Sequence, residues 1–425
     1  MQTNKSHYRL RLRIGHIISA CFGFLLIFVG PYGHGYFKDW LIPLTSSYRI
    51  NLFEAFAIPI IYGGLIYYGP KIRKSEQFLF LSIILVIFSR IVSTLAAENV
   101  QIVQYISIFR YIETLVLIYI CANLFSNQKN RHFFIMGIII GVAIETVGGI
   151  FVHLKTQYRG IFVSNSSFIL QTFLIIACIL AFINRKGKFR MTVFILAMVL
   201  AIFATLTRTA WIFLITSVLI LALVYSKKRI LKNILLFIVS TGIVVLLIGK
   251  RLPVSTEIFV SRTKSAFSGS GTVLYRFYLW DMSIASFLQH PIFGIGSGSF
   301  TRQQEHLPRV FNVELPEYYR NLNLQLRPHS AFLGVLSETG IVGLAAYLLW
   351  IVAIIGISRK IFRLSNVYLS HDRYVIAASL IIISFIIFDT ITQCSFTPIS
   401  STFIGFSLGY LREKNKISRT SELMK

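Results

Sequence analysis

Apolar residues fall along this chain in blocks of membrane-spanning length, most of them separated by short polar connectors. A spanning helix needs about 20 predominantly apolar residues. Blocks of that kind cover approximately 14–30, 50–69, 77–97, 100–125, 132–153, 166–184, 190–206, 209–226, 230–249, 330–357, 373–392 and 397–411. The pattern predicts an all-α polytopic membrane protein of about twelve transmembrane helices. The seventh and eighth blocks come from one nearly continuous run, Met191 to Tyr225, too long for a single straight crossing. The division falls at Leu206-Thr207-Arg208-Thr209, because an arginine is costly at mid-bilayer and well accommodated at an interface. The first block follows Lys5, Arg9, Arg11 and Arg13 and lacks a small-x-small cleavage site after it, so it reads as a helix and not as a signal peptide.

One long hydrophilic interruption, Lys250 to Ser330, divides the chain. Residues 1–249 are expected to hold nine helices, 250–329 a loop carrying the chemistry, and 330–425 the last three helices and a tail. Inside the loop, Val273, Phe277, Trp280, Ile284 and Leu288 recur at the spacing of one helical face, and Pro291 closes the segment. Such a helix would lie along the membrane surface. The stretch Gly294-Ile-Gly296-Ser-Gly298-Ser-Phe300 has neither a Walker lysine nor a GxGxxG after a strand, and reads as a turn. Ser330 is placed to cap the helix that follows.

Composition agrees with the blocks. The chain is 55% hydrophobic and 14% charged, with a mean hydropathy of +0.70, whereas soluble domains carry about 25% charged residues. A net charge of +26 would ordinarily point to nucleic acid or an acidic surface. Here the basic residues sit in alternate connectors: Lys71/Arg73/Lys74, Lys129/Arg131, Arg185/Lys186/Lys188/Arg190, Lys227/Lys228/Arg229/Lys232 and Arg359/Lys360/Arg363. By the positive-inside rule that set and both termini are cytoplasmic, the long loop lies outside, and no nucleic-acid partner is implied. Cys21, Cys121, Cys178 and Cys394 lie far apart, with neither metal-ligand nor disulfide spacing. No internal repeat or matched pair of broken helices of the transporter kind is evident.

Charged residues within spans are expensive and therefore candidates for function: Glu54, Arg90, Arg110, Glu113, Glu145 and Asp389. Their placement suggests a polar cavity open to the outer side, with Arg110 and Glu113 one turn apart as an ordinary ion pair. In the loop, His306 with Glu305, Glu314 and Glu317 fits no metal-ligand spacing. His329 is the one good general base beside many guanidinium groups: Arg276, Arg302, Arg309, Arg320 and Arg327, with Arg208 on a neighbouring outer turn. A base among arginines suits a substrate with a phosphate leaving group, whose oxygens arginine holds by paired, charge-assisted hydrogen bonds. No DxD is present, so arginine would have to neutralise a diphosphate where other enzymes use a divalent ion.

Three segments resemble one family. The run from His329 through Gly340 to Gly343 resembles the His-containing signature of the O-antigen ligase and O-antigen polymerase superfamily. Leu206 to Trp211 resembles its short outer turn with an arginine, and Leu274 to Trp280 with His290-Pro291 resembles its periplasmic helix. The resemblance implies a metal-independent, cofactor-free glycosyltransferase of the bacterial inner membrane, with its active site at the periplasmic face. It would take a glycan from undecaprenyl diphosphate, with inversion, and join it to an acceptor hydroxyl. His329 would be the base or acceptor-positioning group, Arg208 and Arg276 would bind the diphosphate, and Arg327 could substitute for either. Gly340 and Gly343 would let helices pack closely. The single large outer loop favours an O-antigen ligase acting on lipid A-core. The alternatives are an O-antigen polymerase, a protein O-oligosaccharyltransferase relative and, in a different class, a transporter of lipid-linked glycan.

Overall fold

The computed structural model describes residues 2–25, 42–45, 48–50, 72–97, 102–156, 272–303, 327–365 and 398–423, with isolated positions between them. In chain order these form α1 (Gln2–Leu25), β1 (Ile42–Thr45), β2 (Tyr48–Ile50), a short 3-10 turn (Lys74–Glu76), α2 (Gln77–Ala96), α3 (Ile102–Leu124), α4 (Gln128–Thr156), α5 (Thr272–Gln289), α6 (Phe300–Gln303), α7 (Ala331–Ser365) and α8 (Pro398–Leu423). The described chain is helical apart from one antiparallel hairpin pairing Ile42 with Ile50, a small departure from the all-α expectation. The expected spans 166–184, 190–206, 209–226, 230–249 and 373–392, and nearly all of 50–69, lie outside the described residues, as do Glu54, Arg208 and Asp389.

Four segments are long and apolar enough to cross a membrane: Lys74–Ala96, Gln104–Leu124, Gln128–Gly148 and Ala331–Arg363. They match the third, fourth, fifth and tenth apolar blocks. Helix α2 shows why the match is close. Leu79, Phe80, Ile83, Val86, Ile87 and Arg90 turn inward at helical spacing, while Phe78, Leu81, Ile84 and Phe88 face outward. A helix apolar on both faces is one whose outer surface meets lipid.

Contacts fix the relative directions. Lys360 of α7 donates to the Ser75 carbonyl at the start of α2, and Glu338 of α7 meets Arg90 and Ser93 near its end, so the two helices run antiparallel. Helices α3 and α8 run parallel, with Gly405 against Cys121 and Gly409 against Phe125. Helices α1 and α4 are also parallel. His16 stacks on Phe133 at 4.7 Å between ring centroids, and Gly23 and Gly137 bring the two backbones together where any side chain would collide. The N-terminal half of α1 and the C-terminal half of α8 therefore share one end of the bundle.

Basic residues concentrate at that end. Arg412 of α8 forms a two-pronged pair with Glu76, at 2.7 and 2.5 Å, and donates to Asn123 at 2.6 Å. Arg73 donates to the Arg412 carbonyl, and Arg131 pairs with Glu413. Paired, hydrogen-bonded guanidinium groups are the form in which buried charge is tolerated.

Candidate functional site

The opposite end carries the described parts of the long loop, residues 272–303 and 327–330, with the candidate residues they hold. Helix α5 stands on a small core of Tyr275, Leu279, Met282, Ile295 and Phe300. The apolar stripe expected to lie along the membrane surface is the outer one: Phe277 and Leu288 are exposed and Trp280 and Ile284 are half-buried, while the face packed on protein mixes Tyr275, Leu279 and Met282 with Asp281, Ser283 and Ser286. Period alone identifies a helix with an apolar stripe, and two interleaved stripes are ambiguous as to which one packs.

The glycine-rich stretch after α5 is a turn, as expected, but one with a structural partner. Helix α7 is interrupted at Gly340, whose φ of 62° is left-handed. The loop docks into the interruption. Ile295 and Gly296 donate backbone N–H groups to the Ser337 and Glu338 carbonyls, both at 3.0 Å, and Ile341 and Val342 donate to the Pro291 and Ile292 carbonyls at 2.9 and 3.4 Å. The backbone groups freed by the break are thus satisfied by the loop, as burial requires. Gly340 lies against the backbone of Ile292 and Phe293, and Gly294 against that of Glu338 and Thr339, so a Cβ at either would collide with main chain. The expectation that Gly340 serves helix–helix packing is corrected: it lets a loop enter a helix. Gly343 faces the Thr339 side chain of its own helix.

Side chains brace this junction. Arg90, 2% exposed, reaches Glu338 at 3.0 Å and the Ser297 hydroxyl at 2.8 Å, and lies over the Tyr111 ring at 4.2 Å. Ser107 bonds Ser297, Gln104 donates to Ser299 at 2.6 Å, and Ser93 donates to the Glu338 carbonyl at 2.5 Å. Arg90 therefore belongs to a buried structural network and not to an open polar cavity. Arg110 and Glu113 lie on α3 and Glu145 is buried on α4, each with contacts of its own.

One turn before α7 stands His329. Ser330 caps the helix as expected, its hydroxyl accepting the Leu333 N–H at 3.4 Å. His329 has φ 52°, left-handed for a residue with a side chain, a conformation that costs about 1–3 kcal/mol and persists only where its surroundings hold it. Trp280 supplies such a hold, donating its indole N–H to the Pro328 carbonyl at 2.8 Å. Arg276 lies one turn before Trp280 on the same face of α5. Crowding by protein and the charge of Arg276 both push the His329 pKa below its ordinary value, although the residue keeps an open edge to solvent. The proton-free imidazole is thereby favoured near neutral pH.

Of the four residues expected to carry the chemistry, Arg276 lies near enough to His329 for its charge to act on the imidazole. Arg327 is exposed two positions before His329. Arg276 and Arg327 form no ion pair among the described residues, unlike Arg90, Arg131 and Arg412. Arg302 is exposed on α6, His306 is exposed in a turn, and Arg309, Arg320, Glu305, Glu314 and Glu317 lie outside the described residues. Sequence reasoning missed Trp280 and Glu338 as parts of the site. The signal for Trp280 was available, four residues after Arg276. Glu338 gave none, since its partner lies 248 positions away.

Comparison with curated proteins gives no match. Residues 192–348 match the family model described as O-antigen ligase, a segment a little over a third of the chain that contains Arg208, Arg276, Arg327 and His329. That match, over the central segment of the chain, is consistent with the O-antigen ligase superfamily, and the four long apolar helices suit a membrane protein of that kind.

Proposed function

We propose that the chain is an O-antigen ligase, an inverting, metal-independent glycosyltransferase of the bacterial inner membrane. It moves O-antigen polysaccharide from undecaprenyl diphosphate to a hydroxyl of lipid A-core at the periplasmic face. The observation that carries this reading is the juxtaposition of His329, held toward its neutral form, with Arg276 at the end of the bundle opposite its basic residues. By the positive-inside rule the basic end, with both termini, faces the cytoplasm, which assigns the site to the periplasmic side.

The neutral His329 accepts the proton of the acceptor hydroxyl as its oxygen attacks the anomeric carbon from the face opposite the diphosphate. The glycosidic bond forms as the bond to the diphosphate breaks, and undecaprenyl diphosphate leaves with the electron pair. Arg276 and Arg208 stabilise the developing charge in place of a divalent cation, and Arg327 is close enough in sequence to assist.

In a strain deleted for this chain, ligase loss removes O-chain from lipid A-core and leaves lipid-linked polymer. Core bearing one repeat would instead indicate a polymerase, and precursor trapped inside would indicate a transporter. His329→Ala and Arg276→Ala are expected to reduce transfer by about a hundredfold or more at normal amounts of folded protein, the scale of a lost general base or charge stabiliser. Normal O-chain attachment in either variant would overturn the assignment. Loss of activity in EDTA, restored by Mn2+ or Mg2+, would overturn metal independence.

A further inference from the structure

We infer that Trp280 is a positioning residue for the same site: its indole N–H, bonded to the Pro328 carbonyl, holds His329 in its left-handed backbone conformation at the start of α7. The inference rests on the reading of His329 as the acting base, but its geometry stands apart from that reading.

Three observations converge. The bond joins two elements 48 positions apart in the chain, at 2.8 Å, with a carbonyl directly preceding His329. His329 is the one described non-glycine residue with positive φ, and such a conformation relaxes toward extended or helical backbone when nothing fixes the preceding peptide. The helix that presents Trp280 presents Arg276 four residues earlier, so one rigid turn sets both the cation and the tether. Trp280 is itself steadied by an edge-on contact with Phe277, at 5.3 Å between centroids.

The charged groups near the ring come from each element packed there. Among the described residues, helix α5 contributes Arg276, Arg327 lies two positions before His329 in the connecting segment, and the first charged residue of α7 is Glu338, which is engaged by Arg90. With Trp280 removed as a donor, the His329 peptide is free to turn and the ring to move away from Arg276. Its proton affinity then rises toward the ordinary histidine value.

The test uses the full-length protein in detergent or nanodiscs. Trp280→Phe keeps an aromatic ring and loses the donor. Benzothienylalanine placed at position 280 by nonsense suppression keeps the bicyclic shape and exchanges only the N–H for sulfur, which covers the case in which Trp280→Phe fails to fold. Diethylpyrocarbonate reacts with neutral imidazole, so the pH dependence of its addition to His329, read by mass spectrometry, reports that residue independently of any enzymatic activity. Both variants are expected to move the midpoint to higher pH and to lower kcat for glycan transfer about tenfold, with KM for the lipid-linked donor within about twofold, the pattern of lost transition-state positioning. An unmoved midpoint in the benzothienyl protein would overturn the inference, whatever its activity. A moved midpoint in a protein with no glycan transfer even in its unaltered form would uphold the tether and reject the transferase reading, so the two failures are distinguishable.

Discussion

At the scale of single residues, the proposed reaction turns on His329, whose surroundings act on one proton. The protein packed around the ring and the charge of Arg276 both disfavour the imidazolium, so the neutral form that the proposed reaction uses survives to lower pH than in a free histidine. Activity that depends on that form should be full above the ordinary histidine value and fall as pH drops through the depressed one. Arg276→Gln removes the repelling charge, so imidazolium forms more readily and the acid limb of the kcat profile should shift to higher pH. A limb that stays in place, measured on residual transfer, would separate Arg276 from the proton-transfer step. The helix start was legible in the sequence here, since a capping serine before an apolar run is a local pattern, and the candidate base was named from its arginine-rich neighbourhood. The left-handed backbone and the tryptophan tether were not, because each depends on an element folded from a distant part of the chain.

At the scale of elements, the interrupted helix α7 and the loop docked into it form one unit. Gly340→Ala would place a methyl group against the backbone of Ile292 and Phe293 and force a left-handed conformation on alanine. With ψ at −161°, that conformation lies in a region essentially reserved for glycine, and for alanine it costs about 1–3 kcal/mol. Thermal unfolding in detergent should show a lowered Tm, with less folded protein recovered, and an unchanged Tm would mean that α7 can straighten and dispense with the loop. The apolar blocks gave the extents of α2, α3 and α4 closely, because lipid demands a fixed length of apolar helix whatever the tertiary contacts. They could not reveal the break in α7. A glycine in an apolar run reads equally as a packing site or a hinge, and only the partner loop decides between them. The side of α5 that packs was hidden for a related reason, since exposed Phe277 and Leu288 are as apolar as the residues beneath them.

At the scale of the whole molecule, the bundle is tied at both ends by buried ion pairs, Arg90 with Glu338 beneath the site and Arg412 with Glu76 at the other pole. Removing one partner of such a pair strands a buried charge, at a cost of about 3–5 kcal/mol. Arg412→Ala should therefore lower stability strongly while leaving transfer per folded molecule near normal, and Glu76→Ala should do the same. The double variant should lose less than the two singles combined, as a double-mutant cycle of unfolding free energies would show. Strict additivity would mean that the two residues act independently. The clustering of basic residues at one end was legible in the connectors, because charge asymmetry is a local property of loops. The pairings themselves join residues hundreds of positions apart, beyond the reach of any spacing rule.

The docked loop also bears on how the protein is made. A spanning helix in lipid has no water with which to satisfy its backbone, so α7 is unfinished until residues 291–296 occupy its break. Those residues precede α7 in the chain and emerge first during synthesis. The loop that brings the site its geometry is thus also the template on which the next helix completes itself, and the order of the polypeptide supplies the template before it is needed.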